Sequence, residues 1–182
     1  MPSKYHIIYQ KPYHCAIACL SMILYRHANI LIDQEEIGQK LGVRIPHKIK
    51  DIFVHDLEEM TNYGNDEGIS TIDLAPLIEK IGREYIPSLS VEVLRYQDQD
   101  YHGRFQEFLS QGKDIWVEGV LVHSASDTIY IHDRLLDYYD GNYWLIDPDP
   151  NRKNIVQTNI EEICRCIDGS RGKQTGILVL SK

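Results

Sequence analysis

The hydrophobic period changes once along the chain, near Gly112, and this change limits the folds open to it. Before that point apolar residues recur every three to four positions. After it, "DIWVEGVLV" (114–122), "TIYIHDRLLDYY" (128–139) and "YWLIDPD" (143–149) alternate or form short runs rich in β-branched and aromatic residues. The first half is therefore expected to be helical and the second an antiparallel sheet, the α+β class. No repeat, low-complexity tract or Pro/Gly/Ser-rich linker separates the halves. The 182 residues are expected to form one domain, residues 1–182.

Five helices are expected in the first half. The first spans Cys15–Arg26. Its apolar residues (Ala16, Ile17, Cys19, Leu20, Ile23, Leu24) are dense enough to cover most of its surface, so it reads as a central, buried helix. The second begins near Asp33, which forms a capping-box pattern with Glu36, and closes at Gly42. A third stretch covers Ile49–Asn62 and ends near Gly64. A fourth follows Ser70-Thr71 and carries Leu74, Leu77, Ile78 and Ile81, with Gly82 as its cap. A fifth spans Tyr101–Gln111. In the second half, Asp140-Gly141-Asn142 is a strong hairpin signal. A short helix over Asn159–Cys166 and a final strand, "GILVLS", complete the reading.

The net charge of −8 and the lack of a basic stripe argue against nucleic acid or an anionic membrane as partner; Arg165, Arg171 and Lys173 are too sparse. No apolar run approaches the length that spans a bilayer. The start, "MPSKYHIIYQ", does not look like a signal peptide, so a cytoplasmic location with reduced thiols is expected; specialised secretion leaves no such mark. The four cysteines are Cys15, Cys19, Cys164 and Cys166. Their spacings do not fit the usual zinc knuckles, and neither a metal nor another cofactor is expected.

Cys15 opens the first helix, where free backbone N–H groups and the helix dipole stabilise a thiolate. A nucleophilic thiol also needs a base, and the base needs an orienting group. Among the eight histidines, His132 stands out. It lies on an expected strand, and the hairpin at 140–142 returns the next strand so that Asp147-Pro148 lands beside it. Asp147 could then accept from Nδ1–H and leave Nε2 facing the thiol. His123, also at a strand end, is the rival base but lacks such an Asp-Pro. Gln10 can donate its amide to the oxyanion that acyl transfer generates, with the Cys15 backbone N–H as a second donor. Cys19, one turn into the helix, reads as packing. His14 reads as a solvated loop residue that could tune the thiol. Glu35-Glu36, Glu58-Glu59 and Glu161-Glu162 read as solvated helix faces.

With these residues in view, Gln10…Cys15-Ala16-Ile17-Ala18-Cys19-Leu20 and His132…Asp147-Pro148 resemble the double-glycine leader peptidases. That family is papain-like and includes stand-alone C39-like domains. "GISTIDLAPLIEKIG" and "FLSQGKDIWVEG" extend the resemblance over most of the chain. It implies a papain-like fold with the nucleophile helix packed on the sheet. It also implies Cys15 as nucleophile, His132 as general base, Asp147 as orienter and Gln10 as oxyanion donor. Ala16 stands where the family has glycine, His14 where aspartate is common, and Gln10 is five residues before Cys15 rather than about six. These departures place the chain outside the transporter-linked members.

The expected activity is that of a cysteine peptidase acting on a peptide or protein substrate through a thioester. The same triad would serve a glutamine deamidase or an acyl or aminoacyl transferase. A catalytically silent peptide-binding module is the alternative from another class. The oligomeric state is not legible.

Overall fold

Six strands form one antiparallel sheet in the order β3-β8-β4-β5-β6-β7. They are β3 (Ser90–Arg95), β4 (Asp114–His123), β5 (Thr128–Tyr139), β6 (Tyr143–Ile146), β7 (Ile155–Thr158) and β8 (Gly176–Ser181). The computed structural model describes residues 2–60, 71–95, 100–123, 128–168 and 176–182. The helices are α1 (Cys15–Ala28), α2 (Gln34–Leu41), α3 (Ala75–Tyr85), α4 (Tyr101–Ser110) and α5 (Ile160–Asp168). A two-residue pair, β1 (Arg44–Ile45) with β2 (Glu58–Glu59), runs parallel and stands apart from the large sheet. The mixed helix-and-sheet class expected from the sequence is the one observed. Among the described residues, no helix is long and apolar enough to cross a membrane.

The sheet is covered on both faces, and this follows from side-chain alternation along its central strands. Trp116 and Leu135 pack with Ile17, Leu20, Ile23 and Leu24 of α1 in one apolar cluster. Ile115, Val117 and Leu136 pack with Phe105 of α4 and with Ile163 and Ile167 of α5 in another. Helix α1 is apolar on nearly every side because it is enclosed by the sheet, α2 and α3. Its nine residues Ala16–Leu24 are all buried. It ends on Asn29 in the left-handed conformation (φ 55°).

Two expectations about elements are corrected. The stretch Ile49–Asn62 is not a helix: a 3₁₀ turn spans His47–Ile52, and β2 follows. The Glu35 carboxylate, buried at the start of α2, accepts the backbone N–H groups of Val54 (2.6 Å) and His55 (2.7 Å) and an ion pair from Lys11. Those N–H groups are thus held by a side chain rather than by a helical ladder. The expected helix end at Asn62–Gly64 and the residue Ser70 lie outside the described residues, as do Arg171 and Lys173. Gly82 does not cap α3, which runs on to Tyr85. A side chain at Gly82 would collide with Leu89, so close packing explains that glycine. Strands β3 and β7, which close the two sides of the sheet, were not anticipated.

The C-terminal end of α1 is tied to the sheet through Asp114, buried at the start of β4. Tyr5 Oη donates to it at 2.6 Å, His27 Nε2 lies 2.6 Å from its second oxygen, and Arg26 forms an ion pair with it. Burial opposes the charge on Asp114. The hydrogen bonds from His27 and Tyr5 and the charges of Arg26 and Lys4 outweigh burial and hold its pKa below the usual carboxylate value. A depressed pKa in the folded state contributes stability that is present above the unfolded value of about 3.9 and lost as pH falls through the folded one. Asp114→Asn should therefore lower Tm at pH 7 and weaken the loss of stability below about pH 4, as read by thermal unfolding across pH. An acid limb identical to that of the wild type would refute this anchor.

Candidate active site at the start of the first helix

The chain reaches Cys15 through a sharp reversal. His14 N donates to Lys11 O at 3.0 Å, and Tyr13 adopts φ 65°, an uncommon conformation for an aromatic residue. His14 follows at the N-cap and is fully buried, which corrects its reading as a solvated loop residue. Its Nδ1 lies 2.6 Å from Pro12 O, its ring stacks on Phe53, and its Nε2 packs against Gly38, where any side chain would collide. Burial lowers its pKa, so His14 is a neutral packing element beneath the turn.

The Cys15 thiol is partly buried and meets β5. Its Sγ donates to Asp133 Oδ2 at 3.2 Å. The other oxygen of Asp133 accepts from Trp116 Nε1 at 2.6 Å and from Thr71 Oγ1 at 3.3 Å. Thiol, carboxylate and orienting donors thus form a connected chain. Glu118 lies directly across from Asp133 in the β4–β5 register, on the same face, and accepts the Thr71 backbone N–H at 2.9 Å.

This face disfavours charge. Burial, and then the Asp133 charge, push the Cys15 pKa well above the usual thiol value; the backbone amides of Asp133 and Ala16 work weakly against that. The resting thiol is therefore neutral at pH 7. Burial also raises Asp133, against the hydrogen bonds from Trp116, Cys15 and Thr71. Burial and the Asp133 charge raise Glu118 to about 8. Two facing buried carboxyls resist being ionised together.

His132 and Asp147 do pair, at 2.7 Å, and both are buried. The contact uses Nε2 rather than the expected Nδ1, and Asp147 Oδ1 also accepts the Asp149 backbone N–H. The pair lies on the other side of the sheet from the thiol. His132 is registered against Gly119, and a side chain at Gly119 would touch Cys166 of α5, whereas Asp133 faces α1. Successive residues of a strand point to opposite faces, so His132 and Asp133 cannot share one. The expected Cys15–His132 contact is thus replaced by Cys15–Asp133.

Gln10 approaches the same end of the sheet. Its backbone N–H donates to Pro148 O at 3.0 Å, tying the loop before Cys15 to the segment after Asp147. Its amide is partly buried, and Oε1 has no hydrogen-bond partner among the described residues. For His123, the other candidate base, the structure gives a place at the end of β4. Cys19 is fully buried, as a packing residue should be, and Cys164 and Cys166 lie on α5 across the sheet. Among the described residues, no cluster of three or more His, Cys, Asp or Glu side chains could hold a metal ion.

Asp133 and Glu118 were missed in the sequence, and Glu35, expected on a solvated helix face, is buried. The signal for the first two was present: a carboxylate inside each of two otherwise apolar strands, "WVEGV" and "IHDRLL".

A buried acid whose folded pKa exceeds its unfolded value binds more protons when folded, so it removes stability as pH rises between the two. For Glu118 that window runs from 4.5 to about 8. Glu118→Gln keeps an acceptor for the Thr71 N–H and should raise Tm at pH 8 while leaving it little changed near pH 4. Thermal unfolding at both values checks this; equal effects at the two pH values would contradict it. A scan of the chain against protein-family models found no match, and neither did a search of curated proteins.

Proposed function

We propose that the chain is a cysteine-dependent hydrolase of papain-like design, cutting a peptide or amide bond in a peptide or protein substrate through a thioester on Cys15, in the cytoplasm. The observation that carries this is the Cys15–Asp133–Trp116 chain at the start of a buried helix. It sets a nucleophile within reach of a base, and the base is itself oriented by a third group. The left-handed Tyr13 just before it is the kind of backbone strain that concentrates at active sites.

In this reading Asp133 takes the part expected of His132. A carboxyl raised toward neutrality by burial accepts protons better than an exposed aspartate. As Sγ bonds to the substrate carbonyl carbon, its proton passes to Asp133 Oδ2. The oxyanion accepts from the Gln10 amide and the Cys15 backbone N–H. On collapse the C–N bond breaks, and the Asp133 proton goes to the leaving amine. Water then attacks the thioester and gives a proton to Asp133, which returns it to the departing sulfur. A deamidase or transferase would use the same groups with ammonia as leaving group or an amine in place of water.

The neutral thiol favours one second reading, a silent module that binds peptides without cutting them. Mass spectrometry after incubation with a peptide library separates the two. A hydrolase is expected to show an acyl adduct on Cys15, absent in Cys15→Ala. Asp133→Asn should slow adduct formation by about 10²–10⁴-fold, yet speed alkylation of the free thiol by iodoacetamide, because a negative charge beside sulfur is gone. His132→Ala should change neither. If no adduct forms at any pH from 6 to about 9, the silent module holds. An adduct rate that falls in His132→Ala as far as in Asp133→Asn would return the base to His132.

A further inference from the structure

On the face of the sheet away from Cys15, β5 carries a buried arginine that forms no ion pair among the described residues. Arg134 is 7% exposed. Its Nε is sealed from solvent without a hydrogen-bond partner, and among the described residues no carboxylate forms an ion pair with its guanidinium. Arginine stays protonated in any protein environment, so it cannot escape this cost by losing its proton. Burying an uncompensated charge is among the most costly arrangements a fold can keep. The nearby acids are engaged elsewhere. Asp147 is held by His132 and the Asp149 N–H, and Glu162 accepts from Thr158 Oγ1 at 2.7 Å.

Arg134 borders a cavity of about 210 Å³ between the β5–β6–β7 edge and α5. Leu145, Val156 and Ile163 form its apolar walls, and the exposed residues Glu162 and Arg165 stand at its mouth. We infer that this cavity binds a small monocarboxylate, with the Arg134 guanidinium taking the carboxylate and the apolar walls taking a short hydrocarbon body. The planar fork of arginine fits a carboxylate through two parallel hydrogen bonds. Two arginines and one glutamate leave a single net positive charge, which matches a monoanion, and Glu162 works against a dianion such as phosphate. The volume lies below that of a drug-sized pocket and suits a ligand of a few carbons. This site does not depend on the hydrolase reading, because the sheet separates it from Cys15.

Isovalerate and benzoate are the probes, with chloride and inorganic phosphate at matched ionic strength and isoamylamine, a cation at neutral pH, as the counterpart of the same shape and opposite charge. Calorimetric titration and thermal unfolding of the full chain are the readouts. The carboxylates should bind saturably and raise Tm, while chloride, phosphate and the amine should not. Arg134→Met keeps the stem without the charge; it should raise Tm of the unliganded protein by about 2–4 °C and abolish the carboxylate effect. Arg134→Lys, which keeps the charge and loses the fork, should weaken binding about tenfold or more. A lower Tm or failure to fold in Arg134→Met would make the arginine structural and overturn the proposal. So would carboxylates that act no better than chloride. A phosphate effect equal to that of the carboxylates would overturn the choice of ligand.

Discussion

Everything of chemical interest in this fold depends on the alternation of side chains along β5. Four consecutive residues, His132 to Leu135, send two side chains to each face of the sheet. Asp133 and Leu135 meet α1 and its thiol. His132 and Arg134 meet the side that carries α5. The β4 partners repeat the division: Glu118 and Trp116 stand with Asp133, and Gly119 and Val117 with His132 and Arg134. The sheet is thus a partition a single strand thick, with an acid-and-thiol cluster on one face and an imidazole and a guanidinium on the other.

This arrangement explains why two electrostatic environments coexist within a few residues. On the α1 face, carboxyls and thiol share a site that burial makes hostile to negative charge, so their pKa values rise together. At Asp114 the outcome is reversed. There burial is as severe, but cationic and hydroxyl partners surround the carboxylate and keep it ionised. The difference lies in the partners rather than in depth.

Much of the fold was legible in the sequence. The period change at Gly112, the hairpin at 140–142, the apolar density of α1 and the caps at Asp33 and Gly42 are local signals. The closeness of His132 to Asp147 was legible too, because a tight turn fixes separation along two strands. What could not be read was the face on which that pair lies. Facing is decided by the β4–β5 register and by how α1 docks on the sheet, and both depend on partners far away in sequence. The helix expected over Ile49–Asn62 failed for a related reason. Its local pattern is helical, but a carboxylate from α2 captures the backbone at Val54 and His55. Buried charges such as Glu35, Asp133 and Arg134 were the least visible, since composition assigns charged residues to the surface.

The β5–β6 ladder already tolerates an irregularity, a shift in register between Leu136 and Tyr138. A one-residue slip turns every side chain of the slipped segment to the other face, whereas a bulge takes up an extra residue and keeps the faces on both sides of it. One codon inserted between Asp133 and Arg134, taken up as a slip of the preceding segment rather than as a bulge, would turn His132 toward the thiol and Asp133 toward α5. In evolutionary terms, an imidazole-paired cysteine and a carboxylate-paired cysteine are separated in this architecture by one insertion rather than by a redesigned site.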